Sequence, residues 1–262
     1  MGMERVMAEF WGQGYTIVED ALEPELFERL ETASWNVWEK VRSGEVDPWG
    51  KGPEAGSIFG LLAPEFGEPV FGEHFLSPSL LRYVHEFLGT DLRLGYVHLR
   101  NASDAYDTGW HRDVVDRAEM SYEEEMAILN RPMQALRWQT AFTDDPCLWL
   151  VPYSQRRCCT REEHRALYED RKMELSGQIN VFLARGQTLI WDGGTIHRGR
   201  KPDSMKERLV MTGGLVKHDP GEPVEETVDE RFRWRLADNV GSSLPDQVRV
   251  WWERWRALQP AE

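Results

Sequence analysis

Gly109-Trp110-His111-Arg112-Asp113 sets an imidazole and a carboxylate two residues apart. In an extended segment such residues share one face, where they form a two-toothed ligand for a borderline divalent metal. The same spacing also arises in surface turns, so the pair alone says little. A third ligand can come from far along the chain. Gly186-Gln187-Thr188-Leu189-Ile190-Trp191-Asp192-Gly193-Gly194-Thr195-Ile196-His197 reads as a strand running into a glycine-rich turn that delivers His197. Two histidines and a carboxylate on one side of a metal leave the opposite positions open, as in non-haem Fe(II) centres that activate O₂. A zinc hydrolase can use the same ligand types, so these residues leave the metal undecided.

Arg208 follows His197 by eleven residues and opens the apolar run Leu209-Val210-Met211, beyond a turn expected through Gly199 to Asp203. A permanently charged guanidinium entering a barrel beside a metal ligand needs an anion to pair with. A dicarboxylate chelating the metal at one end could present its far carboxylate there.

These residues, with others in order, resemble the phytanoyl-CoA dioxygenase family. The resemblance rests on Trp110-His111-x-Asp113, on Asp144-Asp145, on Cys147-Leu148-Trp149-x-Val151-Pro152-x-Ser154, and on Gly186-x10-His197-x10-Arg208. It implies a double-stranded β-helix (jelly-roll, cupin-like) core and an oxygenase dependent on Fe(II), O₂ and 2-oxoglutarate. It further implies that His111, Asp113 and His197 ligate the iron and that Arg208 pairs with the distal carboxylate of 2-oxoglutarate. The family's reaction converts the oxo acid to succinate and CO₂, and hydroxylation of the substrate usually follows. Related halogenases lack the carboxylate, so Asp113 speaks against halogenation. The sequence departs from the family at Pro146, where glycine is commoner, and at Tyr153 and Gln155, which replace the glycine and histidine of Val-Pro-Gly-Ser-His.

The elements that must position these residues are a mainly β chain with flanking helices. Strands are expected at Tyr15–Glu19, Leu92–His98, Ala135–Phe142, Leu148–Pro152, Gln178–Leu183, Thr188–Trp191 and Leu209–Val216. Helices are expected over Met3–Trp11, from Pro24 through Trp38, and over Pro78–Leu88, Ser121–Leu129, Arg161–Lys172 and Val250–Leu258. Ser43–Pro69, rich in Gly and Pro, reads as a long loop. With Asn101–Gly109 and Ser121–Arg131 it is a candidate substrate lid. Residues 1–262 are read as one domain.

Alternation puts Arg137, Gln139 and Ala141 on one strand face, opposite Trp138 and Thr140, and makes Gln139 a candidate hydrogen-bond donor to the oxo acid. Tyr96, His98 and Arg100 share a face of their own strand and could line the substrate pocket, but a satisfied barrel histidine and an outward-pointing arginine are the preferred reading. Trp110 and Trp191 flank the ligand segments as possible walls. Asp107 and Asp116 bracket the first motif and could orient a ligand imidazole. Cys158-Cys159 sits beside Arg156, Arg157 and Arg161, which could lower a thiol pKa. No base partners it, and a cysteine mechanism is set aside.

Lys plus Arg number 31 and Asp plus Glu 45, a formal net charge of −14. That surplus excludes a nucleic-acid binder as the default, since such proteins meet phosphate with basic groups. No run reaches the ~18 apolar residues of a membrane span, mean hydropathy is −0.56, and no secretory h-region is visible. Three cysteines make no disulfide framework. The expectation is a cytoplasmic enzyme acting on a small molecule without nucleic-acid or membrane partners. With no concentrated basic patch to receive the phosphates of an acyl-CoA, a natural-product or amino-acid-like substrate is preferred. The alternatives are desaturation, cyclisation or epimerisation with the same cofactors, or a non-catalytic cupin-like metal-binding protein.

Overall fold

The computed structural model describes residues 2–47, 56–101, 105–115, 118–225 and 227–260. The chain runs through α1 (Met3–Gln13), β1 (Tyr15–Val18), α2 (Pro24–Arg42), β2 (Ser57–Ile58), the single turn α3 (Val70–Glu73) and α4 (Pro78–Leu88). Then follow β3 (Leu92–Arg100), β4 (Tyr106–Asp107), α5 (Tyr122–Leu129), β5 (Ala135–Ala141), β6 (Asp145–Leu150) and α6 (Arg161–Tyr168). The remainder is β7 (Ile179–Leu183), β8 (Thr188–Trp191), β9 (His197–Lys201), β10 (Val210–Lys217), α7 (Asp238–Ser243) and α8 (Asp246–Arg256).

Two antiparallel sheets face each other, one ordered β1-β8-β5-β10-β3-β2 and the other β4-β9-β6-β7. This is the expected jelly-roll core. Its larger sheet is two-faced because side chains alternate along each strand. Leu94, Val97 and Leu99 of β3, Leu136 and Trp138 of β5, and Met211 and Leu215 of β10 pack outward against α1, α2, α4 and α8. Six of the twelve tryptophans belong to this cluster, so packing is the commonest role of that residue here. The inner face meets the smaller sheet through Ala141, Leu148, Leu150, Val181, Leu183, Leu189, Trp191 and Val210. A register shift between Gly214 and Leu215 changes the parity of β3, so that Tyr96, His98 and Arg100 turn inward while Val97 and Leu99 stay in the outer core.

The helices start where local chemistry dictates. Ser121 and Thr160 each form a capping box, with Glu124 and Glu163 respectively, and α4 begins at Pro78 behind the Ser77 cap. Three expectations need correction. The region read as a turn at Gly199–Lys201 is part of β9, held by β6 and β4 despite its charged, glycine-containing sequence. The helix expected over Arg161–Lys172 stops at Tyr168, and Arg171 sits in the turn beyond it. The Ser43–Pro69 loop contains β2 and a single 3₁₀ turn at Pro64–Phe66, with 48–55 outside the described residues. Among the described residues no helix is long and apolar enough to cross a membrane.

Candidate metal centre

His111 and His197 face each other as an antiparallel pair, each backbone N–H donating to the other's carbonyl at 3.0 Å. Asp113 N–H donates to Gly193 O at 2.8 Å. These bonds lay the His111–Asp113 segment along the turn between β8 and β9. Arg112 points the opposite way. Its buried guanidinium donates to Ser154 O at 3.1 Å, Arg157 O at 2.9 Å and Glu125 Oε1 at 3.1 Å. That anchor enforces the alternation that turns His111 and Asp113 to one side.

The turn carrying His197 is fixed by residues outside the motifs. Gly14 has φ 90°, and its carbonyl accepts from Asp192 N at 2.9 Å and from Thr195 Oγ1 at 3.0 Å. A Cβ at position 14 would collide with Thr195 and Gln155, so both backbone conformation and space require glycine there. Ser154 Oγ accepts from Ile196 N at 2.8 Å and donates to Val151 O at 2.7 Å. Tyr153, which stands where the family has glycine, keeps a left-handed φ of 64° and is exposed. Gln155 donates to the carbonyls of Trp11 and Gly12 at 3.1 and 3.0 Å, tying α1 to this turn.

One ligand atom each from His111, Asp113 and His197 fits within a 4.8 Å cluster. Nδ1 of His111 lies 2.9 Å from Gly109 O, and Nδ1 of His197 lies 2.9 Å from Thr195 O. A carbonyl can only accept, so both Nδ1 atoms carry the proton and both Nε2 lone pairs are left for a metal. The Nε2 atoms stand 4.0 and 3.8 Å from Asp113 Oδ1. Burial and then the neighbouring His197 pull His111 down to about 4, which leaves the neutral imidazole a metal needs. Burial alone would raise Asp113, but His197, Arg137 and His111 outweigh it and hold the carboxylate below its usual range. This donor set fits a divalent metal with open coordination positions.

Sequence reasoning placed Arg137 on the right strand face without giving it a task. Its Nε lies 3.3 Å from Asp113 Oδ2, the oxygen left over by the histidines. Asp107, expected to steer an imidazole, works one step removed. Its Oδ1 accepts from Gly109 N at 2.9 Å, and Gly109 O in turn fixes His111. Asp116 lies outside the described residues. Trp191 stands 6.1 Å from the His197 ring and walls the site, whereas Trp110 is buried in a separate cluster with Val151, Leu167 and Ile196. Cys158 is not activated. Burial and Glu125 push it up to about 11.

Arg208 reaches the same cavity but is already engaged. Its Nε and Nη2 clasp Asp145 Oδ1 and Oδ2 at 2.8 and 2.7 Å, both residues being almost wholly buried. Burial opposes both charges, and each partner more than offsets it for the other. Gln139 Nε2 donates to Asp145 Oδ2 at 2.9 Å. Asp145 therefore binds two residues assigned above to an external anion. Arg208 Nη1 remains buried without a partner among the described residues.

The cavity has a volume of about 590 Å³ and lies between the sheets, with His111, Asp113, His197, Gln139 and Arg208 in its wall. Tyr96, His98 and Arg100 all line it. Phe59 from the Ser43–Pro69 crossing and Tyr106 and Thr108 from Asn101–Gly109 do so as well. The Ser121–Arg131 insertion instead lines a neighbouring cavity of about 330 Å³, which shares Arg137. The sequence shows no concentrated basic patch, yet five arginines from five segments meet here: Arg100, Arg137, Arg171, Arg208 and Arg231. Arg231 and Phe232, from the segment after β10, were not foreseen.

A profile described as "Phytanoyl-CoA dioxygenase (PhyH)" matches residues 10–210. No curated protein matches the chain. Solved structures of similar fold include EctD from S. alaskensis, crystallised with 2-oxoglutarate and 5-hydroxyectoine. It has a TM-score of 0.61 and 18% identity over 83% of this chain and 77% of its own. The epimerase SnoN, in complex with Fe3+, alpha-ketoglutarate and nogalamycin RO, has a TM-score of 0.57 and 15% identity over 87% and 93%. HygX from Streptomyces hygroscopicus, with nickel and 2-oxoglutarate bound, has a TM-score of 0.58 and 15% identity over 82% and 87%.

Proposed function

The chain belongs to the phytanoyl-CoA dioxygenase family, and from that membership we propose that it hydroxylates a small organic molecule. It is a non-haem Fe(II)- and 2-oxoglutarate-dependent oxygenase. One observation supports the site assignment above the rest: two Nε2 lone pairs and one carboxylate converge on the wall of a cavity that a buried arginine also enters. In this proposal His111, Asp113 and His197 hold the iron, which with 2-oxoglutarate supplies oxidative decarboxylation of the oxo acid and activation of O₂. Gly109 O and Thr195 O keep the two imidazoles in the metal-binding tautomer. Arg137 holds Asp113 ionised and aimed. Arg208 offers its free Nη1 to the far carboxylate of 2-oxoglutarate, while Asp145 orients the guanidinium and Gln139 donates to the Asp145 carboxylate. Leu148, Leu189 and Trp191 keep bulk water from the reacting side.

An epimerisation outcome is the second reading, since SnoN shares the fold. Product analysis separates the two, because hydroxylation adds an oxygen atom and epimerisation leaves the mass unchanged. The site assignment is tested by anaerobic titration of the Fe(II)-loaded protein with 2-oxoglutarate, following the visible charge-transfer band of the chelate. The band should appear for the native protein and require about 10–100-fold more oxo acid in Arg208→Met, the loss of one charge-assisted contact. Asp113→Ala should lose the native band and release succinate only at background rate. Iron binding without a band in the native protein, or undiminished turnover by Asp113→Ala, would overturn the assignment.

A further inference from the structure

Among the described residues, the charges lining the cavity do not balance. Arg208 is matched by Asp145, Arg137 by Asp113 at 3.3 Å, and Arg231 by Asp229. Arg100 and Arg171 line the same cavity and have no carboxylate partner among the described residues. Arg100 lies 5.0 Å from the centroid of the Tyr106 ring, and Arg171 spends only its Nε, on Trp110 O at 3.1 Å. Arg171 is held in place by the chain beneath it. Trp110 N donates to Arg171 O at 2.8 Å, and Gly109 at φ 72° leaves room for the Arg171 Cβ that a side chain would take. These contacts fix the Arg171 backbone and Cβ, and the Nε bond to Trp110 O ties the exposed guanidinium to the His111 segment.

Loading the centre does not cancel this surplus, since Fe(II) and the 2-oxoglutarate dianion together are neutral. Low-dielectric walls focus the field of unmatched guanidiniums into the cavity. His98 registers that field. Burial, and then Arg100, Arg231 and Arg208, hold its imidazole neutral down to about pH 3. Its Nδ1 is buried without a partner among the described residues, leaving a polar atom for a ligand. Around it lies an aromatic wall, with Phe59 stacked on His98 at 4.6 Å, Tyr96 at 5.7 Å from His98 and Phe232 edge-on to Phe59 at 6.0 Å.

The geometry points to an organic anion as the substrate, a carboxylate or phosphate joined to an apolar frame, with Arg100 and Arg171 receiving the anionic group and the aromatic wall receiving the frame. This deepens the oxygenase proposal and rests on it for the seat of 2-oxoglutarate. A guanidinium matched by an incoming anion gains two directed, charge-assisted bonds, which neither a neutral nor a cationic ligand can supply. Overall charge conceals this preference, because the net −14 is spread over the rest of the molecule.

The test is equilibrium dialysis of the full chain, loaded anaerobically with Fe(II) and saturating 2-oxoglutarate, against four probes on one ring system: 1-naphthoate, 1-naphthyl phosphate, 1-naphthol and 1-naphthylmethylamine. At least one anion should bind about 10-fold or more tighter than the alcohol and the amine. The ratio between the two anions tells a carboxylic acid from a phosphate ester. R100M/R171M should lose the anion preference while keeping native affinity for 2-oxoglutarate, and R100K/R171K should recover much of it. The lysine pair also guards against misreading a folding defect. Equal binding of all four probes, or a preference that survives in R100M/R171M, would overturn the inference. So would a parallel fall in 2-oxoglutarate affinity, which would move both arginines to the oxo acid. Failure of the oxygenase proposal is seen separately, as a missing chelate band in a protein that still prefers the naphthyl anions.

Discussion

The cavity has two halves of different construction. Its chemical half is ladder-built: His197 opens β9, His111 pairs with it backbone to backbone, and Gln139 and Thr212 stand opposite each other on β5 and β10. Its outer rim is made of side chains from connections: Phe59, Arg171, Arg231 and Phe232. In the ladder half each ligand has its spare atoms tied, Nδ1 to a carbonyl or an oxygen to a guanidinium. In the rim, Arg171 and Arg231 are exposed; Arg231 pairs with its near neighbour Asp229 and lies over the rings of Phe59 and Phe232 at 5.7 and 5.4 Å. The ladder half resists displacement and suits positioning of reacting atoms, whereas the rim can be re-dressed without disturbing the sheets.

Breaking the Asp145–Arg208 pair should separate the halves most sharply. Asp145→Asn leaves a buried guanidinium short of its counter-charge and should cost about 3–5 kcal/mol, read as a lower urea midpoint. A loss below about 1 kcal/mol would mean the pair is not structurally important. Arg137→Met comes next. It removes the group holding Asp113, and should weaken metal affinity or turnover about 10–100-fold, as for other residues that orient ligands. Its urea midpoint should move far less than that of Asp145→Asn. Arg231→Met should do least, changing stability by less than about 1 kcal/mol, as expected for an exposed pair. Its 2-oxoglutarate titration should superimpose on the native curve. A fall comparable to that of Arg208→Met would erase the distinction between rim and ladder.

What could be read from the chain follows the same division. That His111, Asp113, His197 and Arg208 line one cavity could be expected because each stands in a short linear context of glycine turns and apolar runs. α4 was legible to the residue because a serine cap, Pro78 and Gly89 bound it. β9 was missed because His197-Arg198-Gly199-Arg200-Lys201 lacks β-branched residues, and its strand state is imposed by β6 on one side and β4 on the other. β2 and β4 are two residues each, too short for any alternation. The arginine cluster was hidden for another reason. Its members lie at 100, 137, 171, 208 and 231, and only the closing of the sheets brings them together. Asp145 was visible as part of a motif, but its partners Gln139 on β5 and Arg208 ahead of β10 are brought to it only by the folded sheets.

The family profile stops at residue 210, where β10 begins, yet the chain returns afterwards to set Arg231 and Phe232 at the mouth of the cavity. Within that returning stretch Arg231 is exposed, whereas Trp234 packs in the outer core and the buried Arg235 donates to Gly95 O on β3. Exposed side chains of this late segment can therefore reshape the rim of the cavity while the backbone pairing that holds His111 against His197 stays as it is.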